Sequence, residues 1–252
     1  MKKTFYCYLL LLLPLFSTKA LVTSLTPTQQ KSLPSSQQWR TLSPEDTLYM
    51  TTQSGLILFE LAVQFSPEHI KQLVRSGFYV GLTFYRVIDQ YVVQGGDPDD
   101  QSNSPLAKKR MKAEFEQTIN PDSPFTLVQT PGLMADQTGY VDGFAVGRDL
   151  KSNTQWLIHC PGVVNLARST PADSGGTDFS IMVSTSPPHL DRNLSVFGRI
   201  IHGIEHLNLI KRGDPVKNGM IIDATQRSTI VKMQIGALDI CYSRPKVSLS
   251  KS

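Results

Sequence analysis

A chain of 252 residues with 40% apolar and 18% charged residues has the apolar content of a folded domain. It has too little charge for a disordered chain or a coiled coil. Of its formal charge of +4, three units come from Lys2, Lys3 and Lys19; taking these three from 25 Lys+Arg leaves 22, against 21 Asp+Glu. That near balance excludes a generally basic nucleic-acid binder. The one local cluster, Lys108, Lys109, Arg110 and Lys112, is followed by Glu114 and Glu116 and reads as a solvated surface.

The first segment, MKKTFYCYLLLLLPLFSTKA, has a basic start and an apolar run, and Thr18 and Ala20 stand at the −3 and −1 positions of a cleavage site. This is the pattern of a secretory signal peptide over residues 1–20. The run is too short for a membrane span of about 20 residues, so no stable membrane anchor is expected; an uncleaved anchor is the other reading. Residues 21–45, with Pro27, Pro34 and Pro44 among Ser, Thr and Gln, read as a polar linker or a docked N-terminal arm. A domain is expected over 46–240, with a tail over 241–252.

From Thr47, LYMTT and LILFELAV read as two strands around a Ser54-Gly55 turn. SPEHIKQLVRSG reads as a helix with Ser66 as N-cap, Pro67 at the first helical position and Gly77 at the end. Ile70, Leu73 and Val74 form its apolar stripe, and His69 is expected on its surface. FYRVI and YVVQGG are strands around Asp89-Gln90. Residues 97–160, carrying Pro98, Pro105, Pro121, Pro124 and Pro131, read as an enlarged loop region. VVNLA, FSIMV and SVFGRII follow as strands, GIEHLNLIK as a short helix and TIVKMQI as a last strand. Many short strands with two helices predict a closed barrel or a sandwich.

Some motifs fail on spacing. Asp173-Ser174-Gly175-Gly176 and His159-Cys160 resemble the two halves of a trypsin-like site, but only 15 residues separate His159 from Ser174, far too few for that architecture. His202 and His206 would share a helix face as zinc ligands, yet His202 follows directly on a strand-like run, so a surface pair is expected. Cys160 and Cys241 would remain after signal cleavage, and their pairing is left open. Arg212-Gly213-Asp214 is explained by a turn.

FYRVIDQYVVQGGDP carries more information. With PGVVNLARSTPADSGGTDFSI and LDRNLSVFGRIIHGIE it resembles, in order and spacing, the signature of the cyclophilin-type peptidyl-prolyl cis-trans isomerases, over about residues 46–236. Ala113-Glu114-Phe115 resembles the family's Glu-Phe element. The chain is thereby identified as a divergent, exported, bacterial-like member. The resemblance implies a mainly β fold: a closed eight-stranded antiparallel barrel capped by two helices, here with a long excursion at 97–160. It implies catalysis of X–Pro rotation with no cofactor and no metal, on Pro-containing polypeptides, by a monomer. Arg86 matches the catalytic Arg and Gln94 the residue that holds the substrate backbone. Tyr91, Val92 and Leu190 match walls of the proline pocket, and Ala167 and Arg168 the edge along which the peptide lies.

The chain departs from the family at the remaining substrate positions. Asp178 stands for Gln, Ser180 for a pocket Phe, His189 for a frequent Trp and Leu194 for a bordering His. An isomerase of low activity assisting folding outside the cytoplasm, periplasmic or secreted, is therefore weighed against a chaperone-like or peptide-binding module. One difficulty concerns register: a two-residue turn at Asp89-Gln90 would place Arg86 beside Val93 and turn Gln94 away, so a longer or bulged turn is required.

Overall fold

The computed structural model describes residues 39–65, 67–132, 134–236 and 246–248. In chain order the strands are β1 (Trp39–Thr41), β2 (Thr47–Thr52), β3 (Gly55–Leu61), β4 (Thr83–Ile88), β5 (Val92–Gly96), β6 (Gln117–Thr118), β7 (Phe125–Gln129), β8 (Gln137–Val141), β9 (Phe144–Asp149), β10 (Thr154–Leu157), β11 (Val163–Leu166), β12 (Phe179–Met182), β13 (Val196–His202), β14 (Ile230–Ile235) and β15 (Lys246–Ser248). The α-helices are α1 (Glu68–Arg75) and α2 (Pro105–Lys108).

Eight strands form one antiparallel sheet in the order β14-β2-β3-β13-β11-β12-β5-β4. All eight correspond to segments expected as strands. The sheet curls until its outer strands meet at one end, where Phe84 N donates to Ser228 O and Ile230 N donates to Leu82 O. The structure thus gives a curled eight-stranded sheet whose edges touch over a short stretch.

Strand alternation divides its residues between two faces. Phe84, Val87, Val93, Val164, Phe179 and Ile181 point into the core enclosed by the curl, with Leu48, Met50, Ile57 and Phe59 from β2 and β3. Phe179 is 1% exposed and meets Tyr79 and Phe84 edge-to-face. The intervening positions on β5, β11 and β12 face outward and build the candidate site.

Helix α1 closes the core with Ile70, Leu73 and Val74. Its N-cap is Pro67, one position later than expected; Ser66 lies outside the described residues. Gly77 ends it with φ +74: Gly77 N donates to Val74 O and Phe78 N to Leu73 O, the paired bonds that satisfy a helix's last carbonyls when a left-handed residue follows. His69 is not on the surface but 2% exposed, and neither ring nitrogen has a hydrogen-bond partner. It lies four residues before Leu73, on the flank of the buried stripe. Burial, then the charges of Lys109 and Arg110, lower its pKa below the usual imidazole value. A lowered folded-state pKa means that the unfolded chain binds the extra proton more readily, so stability is full above the free-imidazole pKa of about 6.5 and declines as pH falls below it. Urea melts between pH 7.5 and 5 are expected to show this decline, and His69→Leu to flatten it.

The expected second helix, GIEHLNLIK, is a six-residue 3-10 turn over Ile204–Leu209, entered through Gly203 at φ +83. His202 ends β13 and is exposed, so the two histidines do not share a helix. The β2–β3 turn is Gln53-Ser54 rather than Ser54-Gly55. At Gly55, φ is +143 and a Cβ would come within 2.4 Å of the His206 ring.

The largest departure is the excursion. Residues 97–160 are not an extended loop but hold α2 and a second antiparallel sheet, in the order β6-β10-β9-β8-β7. Its centre is a hairpin through Asp142 (φ +51) and Gly143 (φ +81). Two consecutive left-handed residues form the turn whose twist suits a two-residue hairpin, and Asp-Gly is a preferred pair for it. Phe144, Val146 and Leu157 from this sheet pack with Val92, Val163, Met182 and Val196 from the outer face of the first sheet as a second apolar cluster.

Residues 39–45, expected in the N-terminal arm, contain β1, which pairs with β15 in the expected tail, and the buried Leu42. The expected signal segment and Cys241 lie outside the described residues. Among the described residues, no helix is long and apolar enough to cross a membrane. The basic cluster at Lys108, Lys109, Arg110 and Lys112 is solvent-exposed.

Candidate functional site

The β4–β5 connection settles the register. Ile88 pairs with Val92, leaving a three-residue turn, Asp89–Tyr91, with Gln90 left-handed at φ +53. Val87 then pairs with Val93, and Arg86 with Gln94. Directly opposed residues share a face, so Arg86, Gln94 and Val92 all point outward. The register shifts between Phe84 and Arg86, where Tyr85 is the extra residue of a bulge; bulges re-aim side chains in this way. The required longer turn and a bulge are both present, and Tyr91 belongs to the turn.

The outward face continues across β12 and β11. Ser180 pairs with Gln94, Met182 with Val92, and Asn165 with Ser180. With Arg86, Tyr91, Ala167, Arg168, Leu190 and Leu194 these residues line one cavity of about 190 Å³. Nine of the eleven residues expected at the site are therefore brought together. Asp178 lines an adjoining cavity of about 270 Å³, which shares Gln94, Ala167 and Arg168 with the first. His189 is exposed and lines neither cavity; its backbone carbonyl accepts from Asn193 Nδ2.

The Arg86 guanidinium is fixed on two sides. Nε donates to Asn218 O at 2.9 Å and Nη2 to Asn218 Oδ1 at 3.2 Å, while Nη1 donates to Gln94 Oε1 at 3.2 Å. Asn218 adopts a left-handed conformation, φ +55, which Asn tolerates better than most residues. The strip around Asn218 is held along β4: Val87 N donates to Gly219 O and Ile221 N to Tyr85 O. Gln94 Nε2 in turn donates to Tyr85 Oη at 2.6 Å, and Tyr85 Oη to Asp178 Oδ2 at 2.7 Å. Burial and then the Asp178 charge hold the Tyr85 phenol well above its ordinary pKa.

The Arg168 guanidinium is held by Asn193, through its O and Oδ1, and by the carbonyls of Ser169 and Thr170. Ala167 N donates to Asp178 O. In the wall formed by Tyr91, Val92, Met182 and Leu190, Val92 and Met182 belong to the second apolar cluster, and Tyr91 and Leu190 pack against it, so residues of the excursion pack against the wall.

The sequence motifs set aside lie elsewhere. Ser174 Oγ donates to Pro171 O within its own turn. His159 is 3% exposed, and its Nδ1 lies 2.9 Å from Asp191 Oδ1, an oxygen that also accepts from the His159 backbone N–H. Arg212 is tied to Asp89 and to the carbonyls of Leu207 and Ile210. Sequence reasoning missed Tyr85, Asn165, Met182 and Asn218. The period-2 pattern could have found Asn165 and Met182, because they alternate with Val164 and Ile181.

Known proteins agree with this architecture. The profile of the family described as "Cyclophilin type peptidyl-prolyl cis-trans isomerase/CLD" matches residues 47–234. A probable peptidyl-prolyl cis-trans isomerase of Brucella suis biovar 1 is 28% identical over 181 residues, covering 71% of this chain and 78% of that protein. Peptidyl-prolyl cis-trans isomerase-like 1 of Homo sapiens is 25% identical over 166 residues, covering 65% and 78%. The crystal structure of cyclophilin AquaCyp293 from Hirschia baltica superimposes with a TM-score of 0.68 at 26% identity, over 82% of this chain and 80% of that one. With its fold, its paired Arg86 and Gln94 and a matched segment spanning most of its length, the chain belongs to the cyclophilin-type peptidyl-prolyl cis-trans isomerase family.

Proposed function

We propose that this isomerase rotates X–Pro bonds in exported polypeptides and so assists their folding, with Arg86 as the catalytic group. One observation carries the assignment to Arg86: its guanidinium is held at the cavity by Asn218 and Gln94 before any substrate arrives. Amide resonance sets the rotation barrier at about 18–20 kcal/mol. As the bond twists, the lone pair withdraws from the carbonyl and the prolyl nitrogen becomes pyramidal and basic. A donor aimed at that nitrogen gains strength only in the twisted state, which is the condition for catalysis rather than mere binding. A pre-oriented donor needs no reorganisation at that moment. Arg suits the task because it stays charged and presents a rigid fork. No bond breaks, so the reaction requires neither a nucleophile nor a cofactor.

The apolar wall of Tyr91, Val92, Met182 and Leu190 receives the prolyl ring, and Leu194 borders it. Gln94 holds the substrate backbone, and the peptide runs along Ala167 and Arg168, where main-chain pairing supplies affinity independent of sequence. Ser180 and Asn165 make one side of the cavity polar. The test is exchange NMR on short X–Pro peptides with blocked ends, read against an Arg86→Ala control. Catalysis lost in the control supports the assignment; equal catalysis by both proteins overturns it.

Export rests on the leading segment, whose basic start, apolar run and Thr18/Ala20 pair match a cleavable signal. In a secreting bacterial host the mature protein is expected outside the cytoplasm with Leu21 at its N-terminus, checked by fractionation and N-terminal sequencing. A cytoplasmic product that keeps Met1 would overturn this.

A further inference from the structure

We propose that Tyr85 and Asp178 are positioning residues, which together fix the direction in which the Gln94 amide faces and so hold the Arg86 guanidinium at the cavity. The proposal rests on the reading of Arg86 as the catalytic group.

The argument is one of donors and acceptors. An Arg guanidinium has donors only, so the Gln94 atom facing Arg86 Nη1 must be the carbonyl Oε1. The Gln94 Nε2 then faces Tyr85 and donates to Oη. The phenol has one proton, and it goes to the carboxylate oxygen Asp178 Oδ2, which can only accept while ionised. Each link therefore donates toward the next, Arg86 to Gln94 to Tyr85 to Asp178, from a permanent cation to an anion. The far oxygen, Asp178 Oδ1, accepts from the Asp97 backbone N–H at 2.7 Å and from Thr177 Oγ1 at 3.3 Å. A backbone N–H cannot be turned round. Any polar group at position 178 must keep an acceptor toward Asp97, and this constrains what it presents to Tyr85.

Replacing Asp178 by Asn shows the consequence. The Asn oxygen is needed at the Asp97 N–H, so its NH2 faces Tyr85. The phenol oxygen then meets donors from both sides and its own proton is stranded. The alternative is that the phenol donates back to Gln94. That turns the amide over and sets its NH2 against Arg86, donor against donor. Protonation of Asp178 has the same effect, because the new O–H points at Tyr85. Burial raises the Asp178 pKa above the usual carboxylate range, against the opposing pull of its three donors. The groups facing it are Tyr85 on β4, which Arg86 faces in turn, Tyr79 beyond α1, Asp97 after β5 and, across the adjoining cavity, Asp100, Arg110 and Arg168.

The relay depends on the bulge. Tyr85 is the extra residue of β4, and its 4% exposure leaves its hydroxyl no solvent to turn to.

The test uses the purified protein, with Arg86→Ala, Asp178→Asn, Tyr85→Phe and the Asp178→Asn/Tyr85→Phe double variant. Exchange NMR on a blocked X–Pro peptide gives kcat/KM between pH 4.5 and 8. Side-chain 1H–15N spectra report the Gln94 amide and the Arg86 Nε–H. Asp178→Asn is expected to lower kcat/KM about tenfold at neutral pH, the loss of one charge-assisted link. It is also expected to abolish the fall of wild-type activity on the acid side and to shift both side-chain signals. Tyr85→Phe should lower activity by a similar factor, and the double variant no further, since residues of one network couple rather than add. Activity within about twofold of wild type together with unmoved Gln94 and Arg86 signals would overturn the proposal, as would losses that multiply in the double variant. Should Tyr85→Phe fail to fold, the isosteric Asp178→Asn and the wild-type pH titration of the two signals still decide. If Arg86→Ala proves as active as wild type, the catalytic reading fails on its own. The side-chain signals then judge the relay: a shift on Asp178→Asn supports it and none overturns it.

Discussion

Arg86→Ala is expected to reduce kcat/KM for X–Pro isomerisation by about a hundredfold or more, the scale seen when one pre-oriented donor to a developing charge is removed. The reduction should fall on kcat more than on KM. The variant leaves the apolar wall of Tyr91, Val92, Met182 and Leu190 in place, and under the proposed mechanism the interaction that is lost belongs to the twisted amide, not to the planar ones. Arg86→Lys should recover only a fraction. A single ammonium cannot satisfy Asn218 O, Asn218 Oδ1 and Gln94 Oε1 at the angles the planar fork meets. Stability should change little, because Arg86 is partly exposed and its partners Asn218 and Gln94 keep access to water. Unfolding curves run beside the kinetics would separate the two effects.

Phe179→Ala is expected to be the most damaging single truncation for the fold, at about 3–5 kcal/mol. Phe179 fills the core at the point where α1's following segment, β4 and β12 converge. Its ring meets Tyr79 at 5.7 Å and Phe84 at 6.2 Å between centroids, both edge-to-face. It also closes over Gly95, where a Cβ would stand 3.2 Å from Phe179 Cζ. The surrounding strands are tied by the register Phe179–Gly95 and Leu166–Phe179 and have little freedom to collapse into the void. Against a total stability of 5–15 kcal/mol for a typical domain, this is a large share. The transition midpoint in urea should drop sharply at an unchanged slope. Phe179 stands between Asp178 and Ser180, so a shifted β12 would also carry the cavity with it.

The legibility of these features in the sequence followed their range. The strands of the curled sheet announce themselves because each alternates core and outward residues, and FYRVI–YVVQGG fixes a strand pair locally. Nearly all of the candidate cavity follows once Arg86 and Gln94 are placed on one face. Tyr85 was missed because a bulge breaks the alternation by which faces are assigned. Asn218 was missed because its contact with Arg86 spans 132 residues and it sits in a loop with no period of its own. The second sheet was hidden by a different effect. Five prolines weighed toward loop, while the Asp142-Gly143 pair between YV and FAV, a hairpin signal in itself, was read only as extra length. His69 was misplaced because a helix flank is either wet or dry according to what packs beside it, and that is decided by other elements.

The shared packing of the excursion and the cavity wall has a consequence for how the protein breathes. Val92 and Met182 on one side, and Val146 and Leu157 on the other, belong to a single apolar cluster, so neither layer can part from the other without exposing that cluster to water. Segments joined in this way open as one cooperative unit. Amide hydrogens on β9 and β10 and those on β5 and β12 should therefore exchange with solvent at matching rates. The time the candidate cavity spends intact is then set by strands more than fifty residues away from Arg86 in the chain. An added sheet of this kind acts as a clamp on the candidate cavity, and removing it would loosen the wall of Val92 and Met182.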